Sequence, residues 1–289
     1  MMFAYHERRL ILVTTFISTP TLSAVEAESD SVIWFDDYFT IEYIDSKTIA
    51  IGEPRYHQQN YNYLILGDDS AILFDTGPGV RDIKPVIEHL TNLPVVVTQS
   101  HLHFDHVGNH DKFENIAVPN LAYLQDQRVD KVLSLTHKQH LGFVEDIASP
   151  NLNVTQWWSP GAKVDLGNRT LQMIHAPGHT PDSIVLLDRE RDLLFTGDFI
   201  YPGPLFAMLP GSDLADYLAS TRSLIEVTKE DTKLLTAHRG FPPGAPVLAQ
   251  QDLLDLKAGL VGVLDGSLQG EGVYIQAYRI NDRIELLAD

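Results

Sequence analysis

Residues Ser100 to His110 read SHLHFDHVGNH, which places four imidazoles and a carboxylate in eleven positions directly after the apolar run Pro94–Thr98. His101 and His103 sit two apart, so on an extended chain they project to the same side and can share one cation. The chain must then turn for Asp105 and His106 to reach a neighbouring ion. A catalytic zinc takes three protein ligands and a fourth, open position. The missing ligands must therefore come from other strand ends, and that requirement constrains the fold. The chain has no cysteine, which leaves His, Asp and Glu as the donors.

Three candidates stand where such a fold would deliver them. His179 lies in Pro177-Gly178-His179-Thr180, just past the apolar stretch Leu171–Ile174. Asp198 follows Leu193–Thr196 through Gly197, and His238 follows Lys233–Thr236 through Ala237. Each is a ligand type immediately beyond an apolar strand, where open α/β sheets place their ligands. Asp75, on the first hairpin, is suited to orient a ligand histidine. His110 and His175 fall near the site but off the pattern and are read as solvated or as supporting a ligand. His57, His89, His137 and His140 are read as surface residues.

The rest of the chain reads as strands alternating with helices in two similar halves, an α/β layered fold. Tyr61–Leu66 and Ala71–Phe74 form a hairpin, followed by a helix over Lys84–Thr91 with Pro85 tolerated in its first turn. Residues 121–160 read as helical and irregular. Ser183–Leu187 and Leu193–Thr196 make a second hairpin, and Asp213–Val227 an amphipathic helix. Leu248–Val263 reads as a further helix, and Val273–Ile280 with Arg283–Leu287 as closing strands. No internal repeat or low-complexity tract interrupts this order.

At the N-terminus, Arg8 and Arg9 precede the apolar run Leu10–Ile17, then Pro20 and small residues up to Val25-Glu26-Ala27. This is the pattern of a secretory signal peptide. Residues 1–27 are expected to be removed, leaving a single catalytic domain over 28–289 that is periplasmic or secreted. The run is too short for a stable membrane anchor. Cleavage leaves the formal charge of −18 unchanged, because Arg8 and Arg9 leave together with Glu7 and Glu26. That balance disfavours nucleic acid as a partner, since phosphate binding needs clustered Lys and Arg; a small-molecule substrate is expected instead. Oligomeric state is not legible.

In this order, Asp75, His101-x-His103-x-Asp105-His106, His179, Asp198 and His238 resemble the metallo-β-lactamase superfamily, over about Asn60 to Gly240. The resemblance implies an αββα sandwich, two β-sheets flanked by helices, with two metals in the cleft between them. It implies one ion on His101, His103 and His179, the other on Asp105, His106 and His238, and Asp198 bridging. The donor set suits two Zn2+ ions, with iron or manganese as alternatives. Diiron oxidoreductases that resemble this superfamily carry a carboxylate where this chain has His103, which favours zinc and hydrolysis. Two such ions, about 3.5–4 Å apart, acidify a bridging water that attacks a carbonyl or phosphoryl centre. Asp105 and Asp198 would offset the charge and orient the nucleophile.

The resemblance also ranks substrates. β-Lactamases of the superfamily typically lack the bridging aspartate, and glyoxalase-type thioesterases add a C-terminal glutathione-binding domain. Only 51 residues follow His238 here. Lactone hydrolases are similar in having all seven ligands and a tyrosine three residues after the bridging aspartate, here Tyr201. Its phenol is expected to donate to the substrate carbonyl or departing alkoxide. A lactonase-like reading therefore leads, with a β-lactamase-like amide hydrolase, a thioesterase and a non-catalytic metal-binding protein as alternatives.

Overall fold

The structure is a computed structural model, and it describes residues 32–239 and 244–289. The proposed signal peptide lies outside the described residues. Two large sheets face each other. The first begins as an antiparallel meander from Val32–Trp34 through Thr40–Asp45, Thr48–Gly52 and Tyr61–Leu66 to Ala71–Phe74. Val95–Thr98, Ile116–Pro119 and Asn151–Trp158 then add to it in parallel. The second runs Lys163–Asp165, Thr170–His175, Ile184–Asp188 and Leu193–Gly197 antiparallel, followed by Lys233–Thr236 in parallel and Val247–Leu248.

The central strands are apolar on both faces because both faces are covered. Tyr63, Ile65, Ile72 and Phe74 point inward against Met173, Leu186, Phe195 and Leu235 of the second sheet. Their neighbours Leu64 and Leu73 face the other way, onto Ile83, Val86 and Ile87 at the helix Lys84–Leu90. On the far side, Val185, Leu187 and Leu194 pack under the helices Leu214–Val227 and Gln250–Asp265. This is the αββα order expected. Asp213 starts the first of these helices as its N-cap, accepting the N–H groups of Ala215 and Asp216.

The sheets are joined by polar pins as well as by the core. Arg169, only 2% exposed, pairs with Asp188 at 2.8 Å in the second sheet. It also donates to Lys47 O, Leu66 O and Thr48 Oγ1 of the first. At the opposite end, Asn60 bridges His238, and the Tyr63 hydroxyl donates to Thr236 O at 2.7 Å.

Three features differ from the sequence reading. Within 121–160 the chain forms an eight-residue strand, Asn151–Trp158, plus the short strands Arg128–Val129 and Val132–Ser134. A third sheet exists: Gly203–Phe206 lies parallel to Ile284–Ala288, which pairs with Gln276–Arg279. That last strand starts at Gln276, and Val273 and Tyr274 are exposed beside it. Among the described residues no helix is long and apolar enough to cross a membrane.

Candidate metal centre

The strand Val95–Thr98 ends under the cleft, and the next residues carry the motif. His103 remains extended (φ −66°, ψ 153°), after which the single turn Phe104–Val107 swings Asp105 and His106 to the other side. The end of Leu193–Gly197 must come very close for Asp198 to reach this point. Gly197 has φ +54°, and a Cβ there would lie 2.1 Å from Ser100 Cβ, so only glycine permits the approach. Asp75 is also left-handed, at φ +67°. A non-glycine residue there costs about 1–2 kcal/mol. Its carboxylate accepts Ser100 N–H and lies 3.0 Å from His106 Nδ1, which ties the strained turn to the motif.

Two clusters of ligand atoms result, one on His101, His103 and His179, the other on Asp105, His106, Asp198 and His238. In the first, His101 Nε2 and His103 Nδ1 are 2.8 Å apart, and His179 Nε2 is 3.2 Å from each. Three nitrogens bound to zinc at 2.0–2.1 Å in a tetrahedral arrangement would stand about 3.3 Å apart. In the second, His106 Nε2 lies 3.2 Å from Asp105 Oδ2 and 3.3 Å from Asp198 Oδ1. His238 Nε2 is 3.3 and 2.9 Å from the same two oxygens.

Four of the five ligand histidines have their outer nitrogen engaged, while the outer Nε2 of His103 is buried without a hydrogen-bond partner. His179 Nδ1–H donates to Phe206 O at 2.8 Å, and His238 Nδ1–H to Gln58 O at 3.1 Å. His106 Nδ1 is held by Asp75, and His101 Nδ1 is 3.0 Å from Ser100 Oγ. Each bond turns the other ring nitrogen, Nε2, into the centre, the arrangement that orients imidazoles on a metal. His106 Nε2 and Asp198 Oδ1 are buried without a hydrogen-bond partner of acceptable geometry. Converging inner atoms left unsatisfied by protons are what a pair of cations would satisfy, so the residues present fit a binuclear site.

Electrostatics divides the two clusters. Burial, reinforced by the neighbouring imidazoles, holds His101 well below its ordinary pKa and pushes His103 down to about 3. Burial also lowers His179, so this trio is neutral and its lone pairs are available. In the second cluster burial again opposes charge on His106 and His238. The carboxylates there outweigh it, led by Asp105 for His106 and by Asp198 for His238, raising His238 to about 10. Burial likewise opposes ionisation of Asp105 and Asp198, yet the imidazoles hold both well below the usual carboxylate range. Cations entering this cluster replace its protons, so metal uptake there releases them.

The cleft above is a cavity of about 520 Å3. His103, Asp105, His179, Asp198 and His238 are exposed to it, and Leu141, Val144, Pro202, Pro204, Phe206 and Leu209 supply apolar wall. Tyr201 also lines it, with its ring 5.2 Å from that of His238. The Tyr201 hydroxyl, however, donates to Pro204 O rather than into the cavity. His110, read as solvated or as supporting a ligand, and His140, read as a surface residue, are both buried. His110 is 0% exposed, its Nδ1 2.8 Å from Thr76 Oγ1, and His140 is 2% exposed with its ring against Gly142. His57, His89 and His137 are exposed, and the half-buried His175 bonds Pro181 O.

Sequence reasoning missed two supporting residues. Asn60 donates to the backbone carbonyl of Asp105 at 2.8 Å and reaches its carboxylate at 3.3 Å. Asp182 accepts the N–H of Leu102, the residue between His101 and His103, at 2.9 Å. No spacing rule marks either, because each acts across a sheet or turn boundary.

A family model described as the metallo-beta-lactamase superfamily matches residues 56–238. The acyl-coenzyme A thioesterase MBLAC2 of Gallus gallus is 29% identical over 224 residues, covering 70% of this chain and 81% of that protein. The probable metallo-hydrolase YqgX of Bacillus subtilis is 26% identical over 192 residues, 66% of this chain and 88% of that one. Among solved structures, a metallo-beta-lactamase from Pontibacter korlensis superposes with a TM-score of 0.57 at 18% identity. It covers 77% of this chain and 99% of its own, a likeness of fold alone. On the family match and the shared fold, this chain belongs to the metallo-beta-lactamase superfamily and is a metal-dependent hydrolase.

Proposed function

We propose that the protein is a binuclear zinc hydrolase that cleaves the acyl carbon–sulfur bond of thioesters bearing an apolar acyl group. One observation carries the two-ion reading: the carboxylate of Asp198 faces both clusters. Its Oδ1 is 2.9 Å from His238 Nε2, and its Oδ2 is 3.8 Å from His179 Nε2. When bound, the metals supply Lewis acidity, giving a water that ionises near neutral pH and a polarised carbonyl oxygen. The chain does the rest. Asp105 and Asp198 orient the attacking water and offset the added charge, and Asn60 fixes Asp105. The apolar wall from Leu141 to Leu209 takes the acyl chain and keeps bulk water from the carbonyl.

The leaving group favours a thioester over a lactone. An alkoxide needs a proton from a positioned acid, and Tyr201, the candidate donor, gives its hydrogen to Pro204 O. A thiolate, whose conjugate acid has a pKa near 8.5, departs without one. The resemblance to MBLAC2, named an acyl-coenzyme A thioesterase, supports the same choice. Export after cleavage near residue 27 is part of this reading, and sequencing the mature N-terminus from the native host tests it: a start near Glu28 is expected, and an intact Met1 would refute it.

The substrate is tested by a panel of acyl thioesters, lactones and a chromogenic β-lactam on the zinc-loaded protein. Turnover of thioesters at least tenfold above the others is expected. Preference for lactones would restore Tyr201 as a donor, and absence of hydrolysis across the panel would overturn carbonyl chemistry.

A further inference from the structure

Asp182 lies three residues after His179, in the same turn, yet its carboxylate grips the opposite arm of the first cluster. Its Oδ2 accepts Leu102 N–H at 2.9 Å, and its Oδ1 accepts the Tyr123 hydroxyl at 3.4 Å. The residue is 2% exposed. Burying a carboxylate costs several kcal/mol unless hydrogen bonds compensate it, and the compensating bond here comes from the backbone between two ligands.

That backbone decides whether the cluster exists. His101 and His103 share one ion only while the intervening residue stays extended, because a rotation of its peptide would carry the two rings to different sides. The Leu102 side chain is fully buried among Val107, Val118 and Leu124, which anchors one end of the unit. Its N–H is the other end, and Asp182 holds it. The second cluster has a separate clamp in Asp75, which takes Ser100 N–H and His106 Nδ1.

We propose that Asp182 is a positioning residue that locks the His101–His103 backbone against the His179 turn, and so sets the affinity of the first metal ion independently of the second. The inference rests on the two-ion reading above. Because no ligand atom belongs to Asp182, its effect must be transmitted through the geometry of the three nitrogens. Outer partners of this kind change metal affinity by about 10–100-fold when removed.

The test is a zinc titration of the metal-free, full-length protein against a competing chromophoric chelator, which resolves two stepwise dissociation constants. Asp182→Ala is expected to weaken one step by 10–100-fold and to leave the other within about threefold. Asp182→Asn, whose side-chain oxygen can still accept Leu102 N–H, should bind both ions nearly as the parent does. If the alanine chain does not fold, Asp182→Ser supplies the same readout, since its hydroxyl is too short to reach Leu102. Unchanged affinity at both steps, equal weakening of both, or failure of asparagine to rescue would overturn the proposal. Uptake of a single ion by the parent protein would instead refute the two-ion reading.

Discussion

Replacing Tyr201 by phenylalanine separates two roles that one side chain cannot fill at once. The ring is 4% exposed and stands edge-on to His238, with ring planes 73° apart, so phenylalanine preserves that packing. What disappears is the bond from its hydroxyl to Pro204 O. A neutral hydrogen bond contributes about 0.5–1.5 kcal/mol net. For a domain of this size, 1 kcal/mol corresponds to about 2–4 °C in melting temperature. The expected result is therefore a melting temperature lower by about that amount, unchanged metal content, and kcat on a thioester reduced less than about threefold. A phenol that donated in the transition state would behave otherwise, costing about 10²–10³ in kcat, or roughly 3–4 kcal/mol of barrier. Calorimetry and steady-state kinetics on matched, zinc-loaded samples decide. A hundredfold loss of kcat at unaltered melting temperature would refute the assignment of this hydroxyl to Pro204.

Two further outcomes probe the scaffold. Arg169→Leu removes the nearer of two cations on the fully buried Asp188, the other being Arg191 at 3.7 Å, and the donor to three groups of the first sheet; breaking a buried pair on one side costs up to about 3–5 kcal/mol, readable by urea unfolding. Glu53 is 1% exposed between Tyr38 and Asn62, and burial pushes its carboxyl up from 4.5 to about 7. An acid whose folded pKa lies above its unfolded value binds its proton more tightly when folded, so stability declines as pH rises from about 4.5 through 7. Glu53→Gln abolishes that decline and should stabilise the metal-free protein by about 3 kcal/mol at pH 8 relative to the parent, with little gain at pH 4. A parallel pH profile in the two proteins would contradict it.

Much of the site was legible because metal chemistry limits residue type and spacing together. His101-x-His103-x-Asp105-His106 stands out by density alone, and His179, Asp198 and His238 each follow an apolar strand that the structure contains. The helix at Leu214–Val227 was legible through its amphipathic pattern, and the structure adds Asp213 as its N-cap. Other features depended on contacts remote in the chain. Gly203–Phe206 becomes a strand only by pairing with Ile284–Ala288, and Pro204 hides it from propensity. Asn151–Trp158 did carry a signal, since Leu152 and Val154 alternate with exposed Asn151, Asn153 and Thr155; the length of the surrounding irregular segment masked that period of two. The burial of His110 and His140 follows from packing of turns over them, which no local pattern encodes. The hydroxyl of Tyr201 donates to Pro204 O, a contact that its sequence position does not reveal.

Stepwise reconstitution tests the binuclear hydrolase most directly. Metal-free protein is supplied with increasing equivalents of zinc, and bound metal and acyl-thioester hydrolysis are measured on the same samples. With Asp198 facing both clusters, the rate should climb to its plateau at two bound ions per chain, and His179→Ala or His238→Ala should each hold about one and stay largely inactive. A plateau reached at one ion, with a second adding nothing to the rate, would contradict a two-metal centre.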